Sequence, residues 1–380
     1  MKEPRILPTA KDKTLFTPGP LTTSQTVKQA MLRDIGSRDE ALMKLLQDIR
    51  VKLLTLAGVT REDGYEAILM QGSGTFGVES VLSSVVPAKG RLLVLTNGIY
   101  GERIVHMASV LKIDAHALRS PENQSPDLQL VRRTLASDSR ITHVAVVHCE
   151  TTTGILNPIV EIGRVVKEFG RGYIVDAMSS FGAVPIDLKT VDIDYLVSSA
   201  NKCIEGVPGF SFIIARREAL LASDGNARSL SLDLLGQLKG FEANGQFRFT
   251  PPTHALLAFD QALRELDQEG GVLGRAARYG NNYDVLVKGM KKLGFSSYLD
   301  PKRQSYIVTA FHCPEHPRFS FEEFYRRLSD KGIIIYPGKV SQANTFRIGC
   351  IGRIFESDLR ALLAAVADTL EEMDVRITRA

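Results

Sequence analysis

Short apolar runs alternate along the chain with stretches whose apolar residues recur every three or four positions. From residue 65 onward the runs have strand length, as in "RLLVLTNG", "HVAVVHCE", "GYIVDAMSS" and "DYLVSSANK". Between them lie amphipathic stretches such as "GERIVHMASVLKI" and "IVEIGRVVKEFG". Strands separated by helices are typical of a largely parallel sheet covered on both faces. The pattern therefore predicts an α/β protein.

The pattern changes near residue 271 and predicts two domains. Residues 16–270 are expected to form a large domain around the parallel sheet, and residues 271–380 a smaller α+β domain. Residues 1–15 are expected to form an arm that packs on the small domain or on a second copy of the chain. The small domain ends in a predicted amphipathic helix with one apolar face formed by Leu359, Leu362, Leu363, Val366 and Leu370.

Composition excludes several classes of protein. The net charge of +4 over 380 residues is small, and no basic patch interleaved with aromatic residues suggests a nucleic acid partner. Neither a membrane-spanning run nor a signal peptide is expected from the apolar stretches. The four cysteines are far apart in sequence, which favours reduced thiols in a cytoplasmic protein over disulfides or a metal site.

The stretch "MQGSGTFG" has the glycine spacing G-x-G-x-x-G, which also occurs in dinucleotide-binding turns. A nicotinamide-binding site would need an acidic residue after the next strand to bind the ribose, but that strand ends in Thr96 and Asn97. Small residues at the start of a helix still let backbone N–H groups approach a phosphate. The loop therefore predicts a phosphate site. A nicotinamide-dependent oxidoreductase remains an alternative, which the missing acid weakens.

Polar residues follow three of the predicted strands, at the edge where ligands bind in α/β sheets. They are Glu150 and Thr151–Thr153, then Asp176, and then Ser199, Asn201 and Lys202. Each alone has an ordinary explanation: a helix cap, a turn residue or a surface lysine. Together, a lysine, a strand-end carboxylate and a phosphate loop are the parts that pyridoxal 5'-phosphate requires. The lysine forms the Schiff base and the carboxylate keeps the pyridine nitrogen protonated.

Several stretches resemble the class V aminotransferases. They are "FTPGPLTTS", "MQGSGTFGVES", "HCETTTGILNP", "YIVDAMSSFGA", "SSANKCIEGVPGF", "RFTPPTH", "FYRRL", "YPGKVSQ" and "FRIGCIG", and the resemblance runs from about residue 15 to residue 370. It implies a fold-type I enzyme with pyridoxal phosphate in the large domain. The resemblance also makes Lys202 the Schiff-base lysine and Asp176 the partner of the pyridine nitrogen.

The resemblance assigns further residues to the cofactor. Ser73, Gly74 and Thr75 would bind the phosphate, with Asn201 beside it. The ring of Tyr100 would stack on the pyridine, and Thr151 would hydrogen-bond near the phenolic oxygen. Thr250 corresponds to a residue that reaches the phosphate from the neighbouring subunit. A homodimer with shared active sites is therefore implied.

The resemblance also implies substrates. Arg347 would grip the acidic group of the substrate, while Gly19 and Ser24, in the segment after Pro18, would shape the pocket. The implied reaction moves the amino group of 2-aminoethylphosphonate to pyruvate by ping-pong kinetics, as in phosphonate catabolism. Arg38 departs from the family pattern, because an aromatic residue is expected near its place; it would be a second anion contact, an influence on substrate choice, or a surface residue paired with Asp39.

Two alternatives retain the cofactor. A class V amino-acid aminotransferase, acting on alanine or serine with glyoxylate or pyruvate, would share the fold and the lysine chemistry. A non-enzymatic protein that binds pyridoxal phosphate is the other alternative, although the lysine and the acid needed for turnover are both present. Relative rates on the amino donors separate these possibilities.

Overall fold

A computed structural model describes residues 12–336 and 343–377 of the chain. The strands are β1 (Thr14–Phe16), β2 (Tyr65–Gln71), β3 (Arg91–Thr96), β4 (Asp114–Arg119), β5 (Ile141–Val147), β6 (Cys149–Glu150), β7 (Ile155–Leu156), β8 (Gly172–Asp176), β9 (Tyr195–Ser199), β10 (Phe210–Arg216), β11 (Val308–His312), β12 (Ile333–Ile335) and β13 (Thr345–Gly349). The helices are α1 (Gln25–Gln29), α2 (Glu40–Leu56), α3 (Gly74–Val85), α4 (Ile99–Val110), α5 (Leu128–Ser137), α6 (Ile159–Glu168), α7 (Leu188–Val191), α8 (Arg217–Leu221), α9 (Leu234–Asn244), α10 (Thr253–Gln268), α11 (Gly271–Lys292), α12 (Phe321–Asp330) and α13 (Glu356–Glu372).

The main sheet has seven strands in the order β2-β10-β9-β8-β5-β3-β4. Strand β10 is antiparallel to both of its neighbours, and the other pairs are parallel. Its central strands are buried along nearly their whole length, because helices cover both faces of a sheet of this kind. The predicted α/β class with a largely parallel sheet is therefore confirmed.

The sheet places the residues predicted to bind the cofactor along one of its edges. Strands β2, β3, β5, β8 and β9 point the same way, so the residues that follow them meet at their common carboxyl edge. Asp176 is the last residue of β8 and pairs with Val197 of β9, only a few residues before Lys202. The N–H of Gly72 donates to the carbonyl of Gly209 at 3.1 Å. This hydrogen bond joins the glycine loop, residues 72–77, to the start of β10.

A second group of buried apolar residues lies mainly in the C-terminal third of the chain. Phe311, Phe324 and Phe346 pack there with the apolar face of α13. Strand β1 pairs in parallel with β12, so Phe16 also belongs to this group. Helix α11 begins at Gly271, where the domain boundary is predicted. The division into domains and the role of residues 1–15 as an arm stay predictions; residues 1–11 and 378–380 lie outside the described part of the chain.

Among the helices of residues 12–336 and 343–377, none has the length and apolar character that a membrane span requires.

Candidate active site

A cavity of about 200 Å³ lies at the carboxyl edge of the main sheet. Its walls come from the start of α3, the first turns of α4 and the segments after β5, β8 and β9. The structure therefore brings most of the predicted cofactor residues together. Those that line the cavity are Ser73, Gly74, Thr75, Tyr100, Thr151, Asp176, Asn201 and Lys202.

The glycine loop leads into α3, and the N-terminus of this helix lies at the wall of the cavity. Ser73 is the extended residue just before the helix, and its hydroxyl makes no capping hydrogen bond. A Cβ added at Gly74 would stand 2.2 Å from the Met178 sulfur, so a larger residue would crowd the wall of the cavity. The first N–H groups of a helix have no partner within the helix and favour an anion. This arrangement suits a phosphate group.

Lys202 contacts the N-terminal stretch "FTPGPLTTS", one of the stretches that resemble the family. Its Nζ donates to the carbonyl of Pro18 at 2.7 Å. Gly19 has φ +122°, and a Cβ there would stand 2.6 Å from Nζ, so the close approach requires glycine. Burial lowers the pKa of the Lys202 amine to about 8, because desolvation disfavours its charged form. A substantial share of this amine is neutral, and hence nucleophilic, near physiological pH.

Asp176 supplies a buried carboxylate in the same cavity. Its Oδ1 accepts from the N–H of Met178 at 2.9 Å. Burial raises the pKa of Asp176 to about 6, while that hydrogen bond and the charges of Lys202 and Arg103 act in the opposite direction. A positively charged nitrogen placed against this carboxylate would favour its ionised form further.

Tyr100 and Arg103 stand one helical turn apart on α4. The guanidinium carbon of Arg103 lies 4.7 Å from the centroid of the Tyr100 ring. Burial raises the pKa of Tyr100, and a hydrogen bond with Thr151 opposes that effect. Sequence reasoning missed Arg103 as a cavity residue. Its position three residues after Tyr100 was the available signal, since such residues share one face of a helix.

The turn after β6 holds the start of α4 in place. Helix α4 follows Gly98, which has no side chain to cap it. Glu150 Oε2 accepts from the N–H of Gly101 at 3.2 Å, and Thr152 Oγ1 accepts from the N–H of Ile99 at 2.9 Å. The Thr152 hydroxyl also donates to Glu150 Oε1 at 2.6 Å. These two side chains therefore cap the helix that carries Tyr100, a role that the sequence did not reveal.

Arg347 is buried on β13, next to the cavity wall. Its Nη1 donates to the carbonyl of Thr151 at 2.8 Å, and its guanidinium carbon lies 4.5 Å from the centroid of the Tyr336 ring. Burial lowers the pKa of Arg347. Its Nε is buried and has no hydrogen-bond partner among the described residues. A donor left in this state is available to an anionic ligand.

The remaining predicted residues lie outside the cavity lining. Ser24 caps α1 by accepting from the Val27 N–H at 3.1 Å, and its hydroxyl donates to Glu265 at 2.8 Å. Thr250 is exposed, and its carbonyl accepts from the side chain of Gln71. Arg38 is also exposed. The substrate role of Ser24, the intersubunit role of Thr250 and the influence of Arg38 stay predictions.

Comparison with known proteins agrees with this geometry. The sequence profile of the family described as "Aminotransferase class-V" matches residues 22–354, which is most of the chain. The chain therefore belongs to the class V aminotransferase family, as the sequence motifs predicted.

Individual relatives are similar over nearly the whole length. The chain is 51% identical over 364 residues to the 2-aminoethylphosphonate–pyruvate transaminase of Klebsiella pneumoniae, covering 95% of this chain and 99% of the relative. It is also 51% identical over 360 residues to the enzyme of the same name from Salmonella typhimurium, covering 94% of this chain and 98% of the relative.

Solved structures share the fold at lower identity. A ureidoglycine–glyoxylate aminotransferase from Bacillus subtilis superposes with a TM-score of 0.89 at 23% identity, covering 98% of this chain and 96% of that one. An alanine–glyoxylate aminotransferase from Nostoc sp. gives a TM-score of 0.88 at 24% identity, covering 96% and 97%. At such identities the similarity defines the fold and leaves the substrate open.

Proposed function

We propose that this enzyme transfers the amino group of 2-aminoethylphosphonate to pyruvate, yielding phosphonoacetaldehyde and L-alanine, with pyridoxal phosphate as its cofactor. The observation that carries the proposal is the meeting of Lys202, Asp176 and the N-terminus of α3 in one cavity. The choice of substrates rests on the two relatives of that name, each 51% identical over most of the chain.

The residues fit pyridoxal phosphate at both ends of the molecule. An amine with a pKa of about 8 is suited to bond with an aldehyde carbon, and the Asp176 carboxylate is suited to a protonated ring nitrogen. The hydroxyls of Ser73 and Thr75, at the start of α3, are suited to the phosphate. Tyr100 offers an aromatic face within the same cavity.

When bound, the cofactor would draw electrons away from the carbon that bears the amino group. Asp176 would hold a proton on the ring nitrogen, which preserves that capacity. Lys202 Nζ would take the proton from the carbon that bears the amino group and return it to the cofactor carbon on the other side of that nitrogen, acting as base and then as acid. The lowered pKa of Lys202 suits both roles near neutral pH.

Arg347 is proposed to bind the anionic end of each substrate in turn. A guanidinium group is always charged and pairs with a phosphonate or a carboxylate through parallel hydrogen bonds. The unpartnered Nε gives Arg347 a donor for this purpose while Nη1 stays on Thr151. One residue would thus serve the phosphonate donor in the first half-reaction and pyruvate in the second.

Initial-rate kinetics test the proposal. One site that the two substrates use in turn predicts parallel double-reciprocal lines for 2-aminoethylphosphonate and pyruvate, so intersecting lines would count against the proposal.

Substitution of the lysine tests the proposal at the reacting group. Lys202→Ala should abolish turnover and leave the fold intact, whereas Lys239→Ala, a change at the exposed surface, should behave as wild type. Faster transfer from alanine or serine to glyoxylate than from the phosphonate would assign the enzyme to the amino-acid aminotransferases instead.

We also propose a cytoplasmic homodimer in which Thr250 of one subunit completes the phosphate site of the other. The burial of all four cysteines as free thiols is compatible with a reducing compartment. Thr250 is exposed in the single chain and is therefore free to meet a second copy. Coexpression of a Lys202→Ala chain with a Thr250→Ala chain tests this arrangement, because a mixed dimer would contain one site that carries both defects and one site with neither. Absence of any activity above that of the single variants would argue against shared sites.

A further inference from the structure

Arg103 is a positive charge in the cavity that the proposed function does not yet use. It projects from the first turns of α4, lines the cavity and is exposed there. Within residues 12–336 and 343–377, no carboxylate forms an ion pair with it. Its described contacts are the face of the Tyr100 ring and the hydroxyl of Thr75. An arginine without an acidic partner beside a polar cavity is suited to bind an anion.

The position of Arg103 indicates which anion. Its Nη1 lies 3.5 Å from Thr75 Oγ1, on the second residue of α3. A phosphate held by the N-terminus of α3 and the Thr75 hydroxyl would therefore lie within reach of the guanidinium. The Tyr100 ring, 4.7 Å from the guanidinium carbon, limits how far that group can turn away.

The charges in the cavity favour the same arrangement. A phosphate ester carries between one and two negative charges at neutral pH. The N-terminus of a helix contributes only about half a positive charge. The buried carboxylate of Asp176 is assigned to the protonated ring nitrogen at the other end of the proposed cofactor, and that neutral pair leaves the charge of the phosphate unbalanced. Arg103 is the cation best placed to balance the phosphate.

We propose that Arg103 is a ligand of the cofactor phosphate, pairing with it while it packs on Tyr100. The proposal rests on pyridoxal phosphate being the cofactor. It adds a charged side chain from α4 to the phosphate site that α3 forms, so that two helices hold one anion.

The test compares two ligands that differ only in the phosphate. Pyridoxal phosphate and pyridoxal are titrated separately into the full-length protein after removal of the cofactor. The visible absorbance of the ligand bound to Lys202 gives the dissociation constant of each. Arg103→Gln removes the charge, Arg103→Lys keeps it without the planar fork, and Arg164→Gln removes an exposed arginine that does not line the cavity.

Arg103→Gln should weaken pyridoxal phosphate binding about ten- to hundredfold, as expected for a hydrogen bond between charged groups. Its affinity for pyridoxal should match wild type, Arg103→Lys should fall between, and Arg164→Gln should change neither ligand. Equal losses for both ligands would overturn the proposal, because Arg103 would then act through the Tyr100 ring.

Unchanged affinity for both ligands would also overturn it. If KM for 2-aminoethylphosphonate rose while KM for alanine did not, Arg103 would be assigned to the phosphonate of the donor instead. Wild-type protein that never develops the absorbance of lysine-bound cofactor would overturn the proposed function, and this assignment with it. The wild-type titration therefore distinguishes the two failures.

Discussion

The lowered pKa of Lys202 predicts how fast the cofactor attaches at each pH. Only the neutral amine attacks the aldehyde. With a pKa of about 8, instead of the usual 10.5, about one tenth of the amine is neutral at pH 7, compared with about 0.03% for an ordinary lysine. Attachment at pH 7 should therefore be about 300 times faster than this lysine would achieve in water at equal intrinsic reactivity.

Stopped-flow absorbance measures the prediction directly. Cofactor-free protein is mixed with pyridoxal phosphate from about pH 6 to about pH 10, a range that extends well to either side of the lowered pKa of about 8. The rate should rise tenfold per pH unit at first and level off above pH 8. Lys202→Ala is the control and should give no lysine-bound absorbance. A rate that keeps rising steeply through pH 9 would refute the reasoning, since Lys202 would then titrate as an exposed amine.

Three substitutions test other parts of the account. Asp176→Asn keeps an acceptor for Met178 but should lower turnover on the order of a hundredfold or more. Because burial raises the pKa of Asp176 to about 6, ionisation of this carboxyl group lowers the stability of the wild-type fold as pH rises. Without cofactor, Asp176→Asn should therefore have a higher melting temperature than wild type at about pH 8 and lose that advantage at about pH 4. Glu205→Gln removes a buried 2.7 Å ion pair with Arg278, and Arg275 and Arg278 then share the single carboxylate of Glu269. Urea unfolding should register a loss of about 1–3 kcal/mol, and a loss below about 0.5 kcal/mol would contradict this. Thr152→Val removes one of the two side chains that cap α4 and should lower stability by about 1–3 kcal/mol in a thermal melt, while an unchanged melting temperature would deny the capping role of Thr152.

The sequence was sufficient to predict residues whose placement depends on the direction of strands. Asp176 and Lys202 follow strands that run the same way, so their meeting needed only the alternation of strands and helices. The glycine loop was predictable for the same reason, because it joins β2 to α3. The chemistry of a lysine, a strand-end carboxylate and a phosphate loop suggested the roles of these residues, and the resemblance to the family added the remaining cofactor residues and the substrates.

Contacts between distant segments could not be predicted in this way. Lys202 and Pro18 are 184 residues apart, and their hydrogen bond depends on how the N-terminal segment packs across the sheet edge. The capping of α4 by Glu150 and Thr152 likewise joins side chains to a helix about 50 residues away. The proximity of Arg103 to Thr75 could not be predicted either, because it depends on how α3 and α4 pack against each other. Periodicity gives the face of each helix but not its neighbour.

The visible absorption spectrum tests the central claim most directly. 2-Aminoethylphosphonate is added to the protein loaded with pyridoxal phosphate, without any keto acid, and pyruvate follows. We predict that the band of lysine-bound cofactor bleaches to the pyridoxamine form with the phosphonate and returns with pyruvate. A band that ignores the phosphonate but bleaches with alanine or serine would contradict the proposed donor and leave the chemistry of Lys202 in place.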